Sequence, residues 1–514
     1  MPSLIIHGHF YQPPRENPWT GNIDPEPDAA PFHDLNERIH AECYAANTAV
    51  RIQTENGSEQ IINNYRNISF DFGPTLLAWL ERQHPATYAS IISADADSLA
   101  RFNEHGNAIA QAYNHAILPL CNERDRLTQI RWGMADFRYR FHREPESMWL
   151  PETACNDAVL DALIDHGLRF VILAPQQAAR IRDRRQASAR WQGIAKNSID
   201  TSIPYLRYHR NDAGKSLAIF FYDSDIAQAI AFEGSLASSP ALAERIAARP
   251  GSSAMVNVAT DGESYGHHHK FGDVALAHLL ETAAPARGFD VTNYGEYLDQ
   301  HLPSVEVEID NGPAGEGSSW SCIHGVSRWT SDCGCHTGGE ENWNQDWRGP
   351  LRAALNLLRD EAAAAFEATR GELFIDPWAA RDESIKLILD PLKSREMFLQ
   401  QHAPRQLNHE QEAKALAFLE MQRYALLMFT SCGWFFNDIG GIEPIQILKY
   451  ACRVIELMRE LELPSPRQRF LEILAEAKSN HAELGNGADI YRRLVEPANP
   501  SFDRSREKLT QATA

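Results

Sequence analysis

Two carboxylates in this 514-residue chain each follow a short apolar run. Glu152 comes after Met148-Trp149-Leu150-Pro151, and Asp261 comes after Asn257-Val258-Ala259-Thr260 and before Gly262-Glu263. In a parallel α/β fold the loops that leave strand C-termini gather on one face, so two acids 109 positions apart can converge. A facing pair of carboxyl groups suits glycoside cleavage. One attacks the anomeric carbon or activates water, and the other protonates the leaving oxygen. A lone acid in such a setting is more commonly a helix N-cap or a surface ion. Here the arrangement occurs twice, and the second copy runs on into His267-His268-His269. Glu263 can raise the pKa of Asp261 by like charge, and His267 could position either carboxylate.

The chain opens with a third group of this kind, His7-Gly8-His9-Phe10-Tyr11-Gln12-Pro13. Side chains alternate along a strand, so His7 and His9 project to the same side and could bind sugar hydroxyls or ligate a metal. A core histidine satisfied by its neighbours is the plainer alternative for either one. A fourth group is the polar–aromatic stretch from Gln111 to Pro119, with His115 inside it. Trp19, Trp149, Trp320, Trp329 and Trp434 are candidate stacking platforms for sugar rings, set against the commoner role of tryptophan as core.

Elements of two kinds must position these residues. Up to about residue 300 short apolar runs alternate with helical patterns, the signature of a repeating βα fold. Strands are expected at 3–7, 147–150, 170–173, 217–221 and 255–259, with helices at 74–83, 125–141 and 157–166. A Gly/Pro-rich run at 310–317 then marks a boundary. A segment dense in Trp, Cys and Gly follows to residue 349. From residue 350 the pattern is helical almost throughout, notably at 351–365, 411–427, 444–460 and 466–477. The expected fold class is therefore α/β followed by an α-helical region: a barrel over 1–310, a loop or lid over 311–349, and a helical domain over 350–514.

In order along the chain, the four groups resemble the motifs of glycoside hydrolase family 57. Residues 7–13 are similar to its first motif (His-x-His-x-x-Gln-Pro) and 111–119 to its second. Residues 149–154 are similar to the third and 261–266 to the fourth. The resemblance implies an incomplete (β/α)7 barrel, action on α-glucans, Glu152 as the nucleophile and Asp261 as the general acid/base of a retaining mechanism. It implies substrate contacts from His7, His9, Gln12, His115, Trp149, Glu263, His267, Trp320 and Trp434. The fifth motif usually contains Ser-Asp-Trp; the nearest match here is Ser431-Cys432-Gly433-Trp434, with glycine in place of the aspartate. Residues 429–457 more closely resemble an uncharacterised helical domain that follows the barrel in one branch of the family.

Two other readings use the same residues. A metal-dependent polysaccharide deacetylase would recruit Asp261 with His7 and His9, or with the histidine run at 267–269, around a divalent ion, but it leaves Glu152 without a task. A catalytically silent glycan-binding protein on the same scaffold would fit the altered fifth motif. The hydrolase reading needs no metal and no cofactor. Cys322, Cys333 and Cys335, with His324 and His336, could hold zinc, yet they lack the paired C-x2-C knuckles of a standard zinc ribbon. Buried free cysteine also serves as a small apolar filler.

With 49 Lys+Arg against 69 Asp+Glu the net charge is −20, which disfavours nucleic acid and anionic membrane as partners and suits a neutral oligo- or polysaccharide. The apolar run at 3–6 meets His7 and His9 too soon to form a signal peptide's core. With the other cysteines scattered, a cytoplasmic protein is expected.

Overall fold

A computed structural model describes residues 1–53, 57–185 and 188–499. The chain forms two units. The first comprises Met1–Gln12, Pro25–Tyr113 and Gly133–Ser321, and the second Pro13–Asp24, Asn114–Trp132 and the chain from Cys322 onward.

The first unit is built on β1 (Ser3–Phe10), whose eight residues are all buried. Among the described residues seven parallel strands run in succession around the barrel, β1, β2 (Ser69–Phe72), β3 (Ala110–Gln111), β4 (Met148–Trp149), β5 (Phe170–Leu173), β6 (Asp212–Phe221) and β7 (Met255–Asp261), and the short Asp290–Val291 pairs parallel with the start of β1. β1 pairs with β7 from Ser3↔Met255 to His9↔Asp261, and with β2 from His7↔Ser69 to Phe10↔Phe72. β2 reaches β3 through Phe70 N–H to Asn107 O (2.9 Å) and Ile109 N–H to Phe70 O (2.8 Å). β3 pairs with β4, the Ser147↔Phe170 bridge joins β4 to β5, and β5 pairs with β6. Between β6 and β7 no ladder forms among the described residues. Asp223 N–H to Asn257 O (2.8 Å) and Asn257 Nδ2–H to Phe221 O (3.1 Å) span that gap instead. This is the expected incomplete (β/α)7 barrel.

Parallel strands covered on both faces read as continuous apolar runs, which is why five of the seven stand out in the sequence. β2 is missed because Ser69 and Asp71 interrupt its phenylalanines, and β3 because it is two residues long. An antiparallel extension is also unforeseen. Tyr205–His209 pairs with β6, and Val305–Ile309 pairs antiparallel with Ala178–Asp183. The flanking helices follow their apolar stripes. In α1 (Pro74–Gln83) Leu76, Leu77, Trp79 and Leu80 are buried, and proline occupies the first turn, where a missing N–H costs nothing. α2 (Asp157–Asp165) starts where the Asn156 side chain accepts the Val159 N–H at 3.1 Å.

The second unit is helical: α3 (Arg348–Glu367), α4 (His409–Leu427), α5 (Ile442–Glu460) and α6 (Arg467–Leu474). α3 buries Leu351, Leu355, Leu358, Ala362 and Phe366, the one-sided stripe of a helix that packs. Its two early segments are tied in by side chains. The Tyr424 hydroxyl donates to Pro18 O (3.0 Å) and that of Tyr450 to Pro14 O (3.2 Å), while Arg381 donates to Asp125 (2.7 Å).

Candidate active site

At the C-terminal end of the barrel strands, β1, β2, β4 and β7 bring their polar side chains together. His7 and His9 leave β1 on the same side, and a residue the sequence reading missed, Asp71 of β2, bridges them. His7 Nε2 lies 3.0 Å from Asp71 Oδ1, and His9 Nδ1 lies 2.9 Å from Oδ2. The Trp149 indole stacks on both imidazoles at 4.9 Å between centroids. Burial opposes charge on either ring. On His7 burial prevails over the hydrogen bond and charge of Asp71, the charge of His9 adds to it, and its pKa falls. On His9 burial is outweighed by Asp71, with Asp261 and Glu263 adding to it, and its pKa rises to about 9. At neutral pH the pair is thus one neutral imidazole and one imidazolium.

Asp261, the last residue of β7, sits beside His9 in the strand register. Asp261 is exposed to solvent, yet the protein packed near its carboxyl still disfavours the charge. Burial raises its pKa, His9 lowers it, and Glu152 and Asp71 raise it further, to about 6. Gly262 follows because a Cβ there would collide with the Phe10 ring. Glu263 then turns inward, where its Oε1 accepts the Tyr44 hydroxyl at 2.7 Å and the Tyr11 N–H at 3.2 Å. Burial and the charge of Asp261 push Glu263 up to about 7 against the opposing pull of Tyr44 and His9. Gln12 hydrogen-bonds the same Tyr44 hydroxyl.

Glu152 lies three residues beyond β4, in a turn opened by Pro151. Its backbone is left-handed (φ 59°, ψ 22°), and so is that of Thr153 (φ 48°). Two consecutive non-glycine residues in this region are costly and must be held by their surroundings. The buried Gln177 holds them. It accepts the Thr153 hydroxyl (2.9 Å) and donates to Thr153 O (2.9 Å) and Ser318 O (3.1 Å). Cys155 and Ser318 exchange two backbone hydrogen bonds at 2.9 Å. That strap continues to Trp320 and Ser321, which grip the carboxylate. Trp320 Nε1–H (2.9 Å) and Ser321 Oγ–H (2.7 Å) both donate to Glu152 Oε2, and Trp320 N–H donates to Glu152 O (3.0 Å). Trp320 is half-buried, with Tyr222 edge-on at 6.2 Å.

The barrel unit therefore brings together His7, His9, Gln12, Trp149, Glu152, Asp261, Glu263 and Trp320. His7 and Trp149 are too deeply buried to touch a sugar and act as braces. His267 pairs with Glu42, and His269 bonds Ala231 O (3.0 Å), so the histidine run spends these two rings on the scaffold. His115 belongs to the helical unit, where its Nδ1 lies 2.6 Å from Ser431 Oγ.

Trp434 corrects an expectation. It too lies in the helical unit, fully buried, with Phe429 stacked on it and the Arg352 guanidinium 4.1 Å over its ring. It presents no open face to a sugar. Gly433 beside it packs against Ile447 of α5: a Cβ there would collide with Ile447 Cδ1, so the aspartate of the usual fifth motif would require that side chain to shift. Asp71, Tyr44, Gln177 and Ser321 were not foreseen. Of these only Asp71 left a signal, an acid between two phenylalanines.

The sequence of residues 7–310 matches Glycosyl hydrolase family 57. The chain belongs to that family. Residues 343–509 match a domain of unknown function (DUF3536). Among curated proteins none matches. Solved structures of similar fold include an exo-type maltose-forming amylase from Pyrococcus sp. ST04, at 15% identity and TM-score 0.63 over 92% of this chain and 82% of that one. A family 57 branching enzyme from Thermococcus kodakaraensis is 13% identical, with TM-score 0.55 over 98% and 95% of the two chains. A 4-alpha-glucanotransferase from Thermococcus litoralis is 16% identical, with TM-score 0.51; this family 57 chain spans 60% of its length. No helix among the described residues is long and apolar enough to cross a membrane.

Proposed function

We propose that the protein is a retaining glycoside hydrolase or glucanotransferase acting on α-glucans, with Glu152 as nucleophile and Asp261 as general acid/base. The observation that carries this reading is the unequal treatment of two carboxyl groups at one end of one barrel. Glu152 Oε2 accepts two hydrogen bonds, from Trp320 and Ser321, that fix the orientation of its carboxyl group. Asp261 is pushed up to about 6 by burial and by the charge on Glu152. An oriented carboxyl group suits attack, and one that keeps its proton to about pH 6 suits proton delivery.

In the first step Glu152 Oε1 attacks the anomeric carbon as Asp261 delivers its proton to the departing glycosidic oxygen, giving a glycosyl ester and a free hydroxyl. In the second, the Asp261 carboxylate removes a proton from water or from a sugar hydroxyl, which displaces Glu152 and restores the starting protonation. Trp320 acts as a wall of the sugar site while its indole N–H holds the nucleophile. This assigns the chemistry to the barrel at 1–310, and to the loop at 311–349 two residues that grip it. The relatives' named activities, maltose formation, branching and 4-α-glucan transfer, support an α-glucan as substrate. Against a deacetylase, His7 and His9 each spend a ring nitrogen on a separate oxygen of Asp71.

Activity screening on maltooligosaccharides and glycogen, with anomers followed by NMR, tests the proposal. The α-anomer should appear first, and Glu152→Gln should lower kcat by about 10³-fold or more with the fold intact. A first-formed β-anomer, or turnover retained in the variant, would overturn it.

A further inference from the structure

The helical unit contains a second constellation, unrelated to sugar chemistry. Cys322 Sγ lies 3.8 Å from both Cys333 Sγ and Cys335 Sγ, and Cys335 Sγ lies 3.6 Å from His324 Nδ1. All four donor atoms fall within 4.8 Å of one another. Tetrahedral zinc with Zn–S of about 2.3 Å and Zn–N of about 2.0–2.1 Å has S···S edges of about 3.8 Å and S···N edges of about 3.6 Å. The observed separations are those edges. We propose that Cys322, His324, Cys333 and Cys335 form a structural zinc site, a C-x-H-x8-C-x-C knuckle.

The surroundings fit a closed metal centre. The Cys322 sulfur accepts backbone N–H groups of His324 and Arg328, the second-layer bonds that orient thiolate ligands. Gly334, left-handed at φ +79°, makes the turn between the paired cysteines, and its N–H donates to Asp332 Oδ1 at 2.8 Å. The fully buried Arg348 donates to Cys335 O at 2.9 Å and lies within electrostatic reach of Cys333 and Cys335. Three thiolates around a dication leave one negative charge, and this guanidinium offsets it. His336 is the histidine left out: its Nδ1 engages Gly338 instead.

The loop also needs such a centre. Between residues 331 and 344 nearly every residue is exposed, so apolar burial does little to hold the segment. Three cysteines and one histidine fill all four positions with protein ligands, the pattern of a structural rather than a catalytic zinc.

The test is metal analysis of the full-length protein purified under reducing conditions from zinc-supplemented cells, followed by exchange with cobalt(II). Wild type should carry about one zinc per chain, and the cobalt form should show the intense visible bands of a tetrahedral thiolate site. Cys333→Ser and His324→Ala should lose most of the metal, whereas His336→Ala should keep it. Stripping zinc from wild type should speed proteolysis between residues 331 and 344. A wild-type protein that is metal-free and takes up no cobalt would overturn the proposal, and so would full metal content in both ligand variants. The wild-type measurements stand even if a variant fails to fold.

Discussion

Replacing His9 by glutamine tests the electrostatics of Asp261, the proposed acid/base, directly. His9 and Asp261 are register partners on adjacent strands. With strands about 4.8 Å apart, their charges are about 6 Å apart. At an effective dielectric of about 20–40 that pair is worth about 1.4–2.8 kcal/mol, or about 1–2 pH units. Because Asp261 is exposed to solvent, the lower figure governs. Loss of the imidazolium removes a charge that lowers the Asp261 pKa, so the pKa rises from about 6. Asp261 then stays protonated to higher pH, and the alkaline limb of kcat/KM on an aryl maltooligosaccharide should move up by about one unit. Asp71→Asn sharpens the test. It strips His9 of the partner that holds it near 9, but it also removes Asp71's own upward push on Asp261. These effects oppose each other, so the limb should move less than in His9→Gln. A limb that stays put or moves to lower pH in His9→Gln would refute the reasoning, as would equal shifts in the two variants.

Three further outcomes are expected. Glu263 has a folded pKa near 7, above its unfolded value, so its contribution to stability is present at low pH and lost as pH rises through 7. Glu263→Gln should therefore stabilise the protein at pH 8 by up to about 3 kcal/mol and flatten its melting temperature between about pH 4.5 and 7; a variant less stable at pH 8 would contradict this. Trp434→Ala empties a filled core position and should cost about 3–5 kcal/mol of stability, read by denaturant unfolding, with KM unchanged. Ser321→Ala removes one donor to Glu152 Oε2 and should lower kcat about tenfold without altering the melting temperature, as steady-state kinetics beside a thermal melt will tell.

The barrel was legible wherever a strand is buried on both faces, because such strands are runs of apolar residues. It was illegible where function intrudes. β2 carries Asp71 among its phenylalanines, and that acid both hid the strand and supplied the partner of two histidines. Glu152 and Asp261 could be picked out because one lies just beyond a strand and the other ends one, and turn residues follow each. Burial could not be read in the same way. Trp149 and Trp434 look alike in sequence, yet one braces a histidine pair and the other is core of the helical unit. The cysteines failed a test of spacing that assumes paired C-x2-C knuckles; their agreement with a tetrahedron exists only in three dimensions.

The left-handed turn at Glu152 and Thr153 sets the interests of the fold against those of the reaction. A β-branched threonine and a glutamate each sit where glycine or asparagine would rest more easily, at about 1–2 kcal/mol apiece. Selection for folding alone would drift position 152 toward those smaller residues, which would abolish the carboxylate proposed here as the nucleophile. If Glu152 is the nucleophile, a lineage released from the need for turnover should lose that glutamate early, gain stability by doing so, and keep Gln177 and the Ser318 strap as a relic of the geometry they once enforced.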